Sequence, residues 1–324
     1  MRRTAAVLMA ALALTAVQAC SPDSQVDVIA ADGALCDITR RLAASSLKVG
    51  CLLGPSDDPH QLQLTPAQTR QINQAQLLLI NGYGLTPTLD RLSQAVKVAE
   101  IAVPNSPNLN DGGQADEHGH AKHDHESEGK AAHLHGDQDP HIWHDPRQAA
   151  AMVKLVSKKL EQLNPQAAPL IQKRAEAMQR SLTALDRWNR QQFSTIPPPR
   201  VLASGHRAFA SLARAYQLKE LPVVDATSTS EALRPQALAN VVGALRNQGV
   251  RSLFAEQTPA SKALLRISSL SGVPLASQPL RADSAGDNLM TTLTTNTCLI
   301  VDALGGRCNQ AGGSELVANW NAIR

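Results

Sequence analysis

Short aliphatic runs alternate with segments of helical periodicity along most of this chain. Four runs lie in each half, at residues 26–30, 47–53, 76–81, 97–102, 200–203, 221–224, 250–255 and 273–276. Nearly continuous apolar strands that alternate with helices are typical of parallel sheets covered on both faces. The pattern therefore predicts an α/β fold with two lobes, each built on a roughly four-stranded parallel sheet flanked by helices.

A long helical region separates the two sets of strands. Pro146 is expected to begin one helix with Asp145 as its N-cap, and Asn164-Pro165 ends it. Beyond that break, one apolar stripe with alternating spacings of four and three comprises Ile171, Ala175, Met178, Leu182 and Leu185. Residues 170–193 are therefore predicted to form one rigid helix of about 36 Å that joins the lobes. A coiled-coil seam is the alternative, but the stripe is short and isolated.

Composition narrows the class of protein. Hydrophobic residues make up 43% of the chain and aromatic residues only 2%, which predicts folded lobes with aliphatic cores. The formal charge of +3 is small, and no surface with interleaved basic and aromatic residues is evident. We therefore expect no nucleic-acid partner.

The N-terminus has the pattern of an export signal. Arg2 and Arg3 precede an apolar stretch at residues 5–17, which is too short to span a bilayer. A Val-Gln-Ala-Cys sequence follows and resembles a bacterial lipobox, which would leave Cys20 as the lipid-bearing first residue. Ordinary cleavage nearby is the alternative. We expect residues 1–19 to be a signal peptide and the protein to lie outside the cytoplasm, in the periplasm or at the cell surface, with only a lipid anchor in the membrane.

Three segments are expected to make up the mature chain. Residues 20–164 form the N-terminal lobe, residues 165–195 the connecting helix, and residues 196–324 the C-terminal lobe. Each lobe then has the usual size of a domain.

The remaining four cysteines suggest two disulfides, because the chain is predicted to be exported. Four cysteines allow three connectivities, and we favour the local pairs Cys36–Cys51 and Cys298–Cys308. Cys36 follows the first predicted strand and Cys51 lies on the next, while Cys308 lies just beyond the helix that contains Cys298. Reduced, buried thiols are the alternative. No CxxC spacing occurs, so zinc ligation by these cysteines is not expected.

Residues 111–137 differ in composition from the rest of the chain. The segment is rich in Gly, His, Asp and Glu and poor in large apolar residues, which predicts a loop without a packed core. It contains six histidines: His118, His120, His123, His125, His133 and His135. Imidazoles interleaved with carboxylates suit borderline divalent metals, so the loop is interpreted as a weak secondary metal collector. A merely solvated polar loop is the alternative.

Three other histidines occupy equivalent positions in the predicted fold. His60 and His206 each follow a predicted strand, and His141 lies just ahead of the helix that Pro146 begins. Ligand sites in open parallel sheets form outside the carboxyl ends of the strands. A single loop histidine is usually a surface residue, but three in such positions predict one zinc site with bonds of about 2.0–2.1 Å.

The segments around these histidines resemble the solute-binding proteins of zinc and manganese ABC transporters, across nearly all of the mature length. They read DDPHQLQLTPAQ around His60, DPHIWHDPRQAA around His141, SGHRAFASLARAYQL around His206 and LFAEQTPASKALLRISSLSGV around Glu256. A histidine-rich insertion before the second segment is typical of the zinc branch. The resemblance implies that His60, His141 and His206 bind the metal in a cleft between two four-stranded lobes.

Two positions depart from the family pattern. Members often supply a fourth ligand from an Asp-Pro-Leu segment, whereas this chain has Gln278-Pro279-Leu280, with Asp283 close but out of register. The fourth ligand is therefore expected to be water, Gln278, Asp283 or a loop residue. His144 stands where a large apolar residue is commoner, and we interpret it as a neighbour of the ligands or a surface residue.

Three acids are candidates for orienting the histidine rings. Asp58, Glu256 and Asp145 lie next to the predicted ligand segments and could accept the second imidazole N–H. Helix capping is the alternative, above all for Asp145. Glu256 ends a predicted buried strand, where an unpaired carboxylate would be costly.

The resemblance implies a non-enzymatic, monomeric protein that captures Zn²⁺ with high affinity and delivers it to an ABC permease in the cytoplasmic membrane. The manganese branch usually has Glu in place of His206, and a nitrogen ligand favours zinc. The alternatives are a lipoprotein that binds manganese or another divalent metal or acts as an adhesin, and a three-histidine zinc hydrolase. The absence of an HExxH motif argues against the hydrolase.

Overall fold

The computed structural model describes residues 26–54, 57–107, 138–224, 235–283, 286 and 288–323. It contains two parallel sheets flanked by helices, which confirms the predicted α/β class. The strands are β1 (Val28–Ala30), β2 (Val49–Cys51), β3 (Leu77–Ile80), β4 (Ala95–Lys97), β5 (Val201–Ser204), β6 (Lys219–Pro222) and β7 (Leu253–Phe254). The helices are α1 (Gly33–Ala43), α2 (Pro66–Gln74), α3 (Pro87–Asp90), α4 (Val98–Ala102), α5 (Pro146–Leu163), α6 (Ala168–Ser194), α7 (Ala210–Tyr216), α8 (Pro235–Asn247), α9 (Lys262–Ser271), α10 (Leu289–Ala303) and α11 (Gln310–Asn321).

The first sheet has four parallel strands in the order β2-β1-β3-β4. Strand β1, one of the two central strands, is buried on both faces, since Val28 and Ala30 belong to one core cluster and Ile29 to another. Burial on both faces explains why the sequence shows continuous apolar runs without polar alternation.

The second sheet is smaller than expected. It has three parallel strands in the order β6-β5-β7. One further parallel bridge pairs Leu253 of β7 with Leu275. The predicted fourth strand at residues 273–276 is thus reduced to this bridge in the described part of the chain. Pro274 accepts a hydrogen bond from the Leu253 amide at 2.9 Å but has no N–H to extend the ladder.

The prediction of a strand at residues 97–102 is wrong. Strand β4 ends at Lys97, and helix α4 follows directly. Val98 and Ala99 are buried, while Ile101 is 56% exposed, so one helical face packs inward. A short apolar run does not distinguish a strand from a buried helix by periodicity alone. The predicted strand at 221–224 begins two residues earlier, at Lys219.

Helix α6 is the long helix that the apolar stripe predicted. It has 27 residues, which corresponds to about 40 Å. Its stripe from Ile171 to Leu185 packs into the core of the first lobe, and Phe193 packs into the core of the second. The helix therefore shares a core with both lobes and does not act as a flexible linker.

Helices α10 and α11 return the chain to the first lobe. Leu289 and Leu293 of α10 pack in the same core cluster as Val28 of the first lobe, whereas Ile300 packs in a core cluster of the second lobe. In α11, the Trp320 Nε1 donates to Asp37 Oδ2 of helix α1 at 2.8 Å. Part of the segment 196–324, which the sequence assigns to the second lobe, thus contributes to the core of the first.

Both disulfides join the cysteines that are near in sequence. Cys36–Cys51 links α1 to β2, and Cys298–Cys308 links α10 to the segment before α11. Within the described ranges, no helix is both long enough and apolar enough for a membrane crossing.

Candidate metal-binding site

His60 lies in a short 3-10 turn at Pro59–Gln61, which follows strand β2. Asp58 caps this turn, because its Oδ1 accepts from the His60 backbone N–H at 2.9 Å. Pro59 at the first position of the turn fixes the backbone φ angle. Asp58 therefore orients the His60 backbone by capping, which was the alternative considered for it.

His141 is fully buried just before a second 3-10 turn, Ile142–His144. Asn81, which follows strand β3, donates through Nδ2 to the Pro140 carbonyl at 2.6 Å. Asp145 accepts from the Arg147 backbone N–H and caps helix α5. Among the described contacts, its carboxylate meets Arg147 and not a histidine ring.

His206 follows strand β5, and Glu256 follows the adjacent strand β7. The Glu256 carboxylate accepts from the His206 backbone N–H at 3.1 Å and makes a short contact with the ring Nδ1. Gly205 permits this approach, since a Cβ there would lie 3.1 Å from Glu256 Oε2. Glu256 is thus placed to hold the His206 ring in one orientation.

Asp283 lies at the point where the three rings converge. Its Oδ1 is 3.0 Å from His60 Nε2, 2.9 Å from His141 Nε2 and 3.2 Å from His206 Nε2. One ligand atom from each of the four residues lies within 4.8 Å of the others. The structure therefore brings the three predicted histidines together, and Asp283 joins them. Gln278, the other side chain weighed as a fourth ligand, is exposed.

Opposite charges dominate the electrostatics of the metal-site cluster, which comprises His60, His141, His206 and Asp283. Burial alone would lower the pKa of His141, but hydrogen bonds and charge from Asp139 and Asp283 raise it to about 9. Burial is likewise outweighed at His206, where Glu256 and Asp283 raise the pKa well above its ordinary value. In turn the histidines hold the pKa of Asp283 well below its ordinary value despite its burial. A metal ion must therefore displace protons from these rings when it binds.

Asp139 is a functional candidate that the sequence analysis missed. Its side chain is fully buried, and Oδ1 lies 3.2 Å from His141 Nδ1 and accepts from the His141 backbone N–H at 2.8 Å. Oδ2 accepts from the backbone N–H of Ser211 at 2.8 Å and from its hydroxyl at 2.7 Å. One carboxylate thus orients a ring of the first lobe and holds helix α7 of the second. An acid two residues before a candidate ligand is the signal that could have identified it.

His144 is not among the four residues that could hold one ion together. Its ring is 1% exposed and lies against Trp143 and Phe209, with centroid distances of 5.5 and 4.9 Å. Its Nε2 is 2.8 Å from the carbonyl oxygen of Ala282, the residue before Asp283. Burial lowers the pKa of His144 to about 4, so the ring is neutral at physiological pH.

The six loop histidines and Cys20 lie outside the described residues. The residues that flank the histidine-rich segment meet beside the cluster. The Asp139 backbone N–H donates to the Pro107 carbonyl at 2.9 Å, and the Ser106 hydroxyl donates to the Asp139 carbonyl at 2.6 Å. The described residues on the two sides of this segment therefore lie next to each other, two residues from His141.

Comparison with known proteins identifies the family. The family described as ZnuA, zinc-uptake complex component A, periplasmic, matches residues 28–303. Metal-binding protein YtgA of Chlamydia trachomatis is 28% identical over 303 residues, covering 88% of this chain and 87% of YtgA. Manganese-binding lipoprotein MntA of Bacillus subtilis is 26% identical over 272 residues, covering 80% and 81%.

A solved structure shows the same fold. The periplasmic zinc-binding protein TroA of Treponema pallidum superimposes with a TM-score of 0.72 at 23% identity, covering 86% of this chain and 99% of TroA. The names of these relatives cite zinc and manganese, so the comparisons establish a metal-binding transport family without fixing the metal. The chain belongs to the ZnuA family, the extracytoplasmic metal-binding proteins of ABC transporters.

Proposed function

We propose that this protein captures Zn²⁺ outside the cytoplasm and delivers it to the permease of an ABC transporter. The ligands are the Nε2 atoms of His60, His141 and His206 and a carboxylate oxygen of Asp283. The convergence of these four donors within 4.8 Å, from both lobes, is the observation that carries the proposal.

The composition of the donor set favours zinc. Three imidazole nitrogens and one carboxylate oxygen match the four-coordinate sites that zinc prefers, whereas manganese prefers oxygen donors. His206 supplies nitrogen at the position where a carboxylate would suit manganese. Manganese remains the second candidate, because MntA, which is 26% identical, is named for that metal.

Four protein donors also favour transport over catalysis. Catalytic zinc sites usually keep three protein ligands and leave one position for water, whereas Asp283 lies within reach of all three rings here. A site closed by four side chains holds its ion until the lobes move. We therefore propose binding and release of the metal without turnover.

The metal can be released because its proposed ligands come from two different lobes. His60 and His141 come from the first lobe, while His206 and Asp283 come from the second. A small separation of the lobes removes two ligands at once and lowers the affinity. Protons returning to His141 and His206 stabilise the metal-free state, because Asp139 stays beside the His141 ring and Glu256 and Asp283 belong to the same lobe as His206.

Zinc titration of the purified mature protein against a competing chelator tests the proposal. His206→Ala and Asp283→Ala should weaken binding by more than the roughly 10–100-fold that loss of an outer partner causes. Gln278→Ala is the matched control and should bind as the wild type does. Tight binding by His206→Ala, or metal-dependent hydrolysis of ester, peptide or phosphate substrates, would overturn the assignment.

Uptake in cells separates transport from adhesion. Deleting the gene should reduce growth and zinc accumulation in zinc-poor medium, with recovery on addition of zinc and not of manganese. Unchanged zinc uptake in the deletion strain would favour a lipoprotein that binds metal without a transporter.

A further inference from the structure

The segment that carries Asp283 lies outside both sheets and depends on side-chain anchors. Within the second lobe, Asn296 of helix α10 binds the backbone of Arg281 on both sides. Its Oδ1 accepts from the Arg281 N–H at 3.0 Å, and its Nδ2 donates to the Arg281 carbonyl at 2.8 Å. The Leu280 N–H donates to the Ala255 carbonyl at 2.8 Å. These bonds fix the segment up to two residues before Asp283.

His144 holds the next residue from the opposite lobe. Its Nε2 is 2.8 Å from the Ala282 carbonyl oxygen, and a carbonyl only accepts, so Nε2 carries the proton. Nδ1 has no hydrogen-bond partner among the described residues. Among the described residues, the hydrogen bond of this buried imidazole therefore goes to Ala282, the residue that precedes Asp283.

The position of His144 makes this bond a link between two proposed ligands. His144 closes the turn Ile142–His144 that begins directly after His141, and its ring also contacts Phe209 of the second lobe at 4.9 Å. The bond to Ala282 therefore ties the turn beside one ligand to the segment that carries another. An apolar residue would fill the same space without donating, and would leave a buried carbonyl unsatisfied.

We propose that His144 is a positioning residue that holds the Ala282–Asp283 segment so that the Asp283 carboxylate meets the three histidines. The inference rests on the proposed function, since it assigns His144 a role at that same site. His144 does not bind the metal itself. It acts through Asp283, and this dependence distinguishes it from a residue that only fills the core.

The test compares an apolar variant with one that keeps the donor. His144→Leu should weaken zinc binding by about 10–100-fold, the range for loss of an outer partner. His144→Gln, whose Nε2 can occupy the position of the imidazole Nε2, should stay within about threefold of the wild type. Thermal melts of the metal-free variants show whether the fold is intact. If His144→Leu does not fold, His144→Met replaces it.

A double variant shows whether His144 acts through Asp283. In the Asp283→Ala background, His144→Leu should change the zinc affinity by less than about twofold, because the carboxylate to be positioned is absent. An undiminished loss in that background would overturn the inference, as would wild-type affinity in His144→Leu. Nitrogen NMR of the metal-free wild type should show the Nε2–H tautomer for His144, and an Nδ1–H tautomer would also overturn it.

Failure of this inference is distinct from failure of the proposed function. If wild-type protein binds zinc tightly and Asp283→Ala weakens it while His144→Leu does not, only the role of His144 is wrong. If neither His206→Ala nor Asp283→Ala changes zinc binding, the metal site itself is wrong.

Discussion

Acidic partners control the imidazoles of the cluster at the residue scale. Glu256 meets Nδ1 of His206, and Asp139 meets Nδ1 of His141, so Nε2 of each ring is the nitrogen that points towards Asp283. A carboxylate on the opposite nitrogen fixes the tautomer and raises the basicity of a metal-binding histidine. Differences in these partners should therefore change the zinc affinity even though they leave the ligands themselves in place.

Replacing Glu256 should weaken zinc binding without removing a ligand. Glu256→Ala removes the acceptor for both the backbone N–H and the ring of His206, so we expect a loss of about 10–100-fold. Gln278→Ala is the control, since Gln278 is exposed and should change the affinity by less than about threefold. Chelator competition measures both, and equal effects of the two variants would contradict the prediction.

The pH dependence of metal binding follows from the raised histidine pKa values. A pKa of about 9 for His141 means that its ion pairs stabilise the metal-free fold fully below the ordinary histidine pKa, and that this contribution is lost as the pH rises through about 9. Zinc affinity has the opposite dependence, because the protons on His141 and His206 must leave. Affinity should therefore increase from pH 6 to about pH 9.

Calorimetry measures those protons directly. Titration at pH 7 in buffers of different ionisation enthalpy should give roughly two protons released per zinc bound. Among the described residues, Asp139, Asp283 and Glu256 contact the two rings directly, and the buried carboxyls of Asp32 and Glu220 interact electrostatically with His141. A binding enthalpy that is independent of the buffer would show that the rings are already neutral in the metal-free protein.

At the scale of secondary structure, short segments next to the ends of strands or the start of a helix carry the proposed ligands. The turn Pro59–Gln61 follows β2, and His206 follows β5, so both ligands lie at the carboxyl edges of their sheets. His141 instead precedes a helix, in a turn held by Asn81 from the end of β3. Each proposed ligand segment thus has a backbone hydrogen bond to a side chain among the described residues.

Removing the histidine-rich segment should leave tight zinc binding intact. Pro107 and Asp139 are joined by a hydrogen bond of 2.9 Å, so these two residues are close enough for a chain shortened by a Gly-Ser link in place of residues 117–135 to connect them. The deletion should lower the number of weakly bound metal ions and leave the dissociation constant of the tight site within about threefold. Loss of tight binding in the deletion variant, with retention in His206→Ala, would place the principal site in the segment.

Two helices connect the lobes at the scale of the whole molecule. Helix α6 packs in a core cluster of each lobe, and α10 does so again through Leu293 and Ile300. A wide hinge motion would break these packed contacts, whereas a small tilt preserves them. The cluster between the lobes should therefore open by a limited displacement.

Small-angle scattering tests this stiffness. The radius of gyration should be about 19 Å for a chain of about 300 residues, and it should differ by less than about 1 Å between the metal-free and the zinc-loaded mature protein. Thermal melting of the same samples verifies loading, since bound zinc stabilises the fold by mass action. A larger change in the radius on zinc binding would indicate hinge closure in spite of the shared cores.

The sequence by itself determined much of the element pattern and the three histidines. Apolar runs predicted strands β1, β2 and β3, and one apolar stripe predicted α6, because periodicity and burial are linked through local geometry. The positions of His60, His141 and His206 in loops next to predicted strands or helices identified them as candidate metal ligands. Periodicity was wrong at residues 97–102, where helix α4 follows β4, since short buried runs suit either structure.

Only the tertiary structure decided which polar groups surround those histidines. Asp139 reaches Ser211, 72 positions away, and Asp283 reaches His60 across 223 positions. His144 meets Ala282 from the other lobe. No local pattern encodes such contacts, because they arise when α6 and α10 fix the two lobes against each other. The direction in which a loop carboxylate points is set by that packing, and the sequence could only offer Asp283 as one of several candidates.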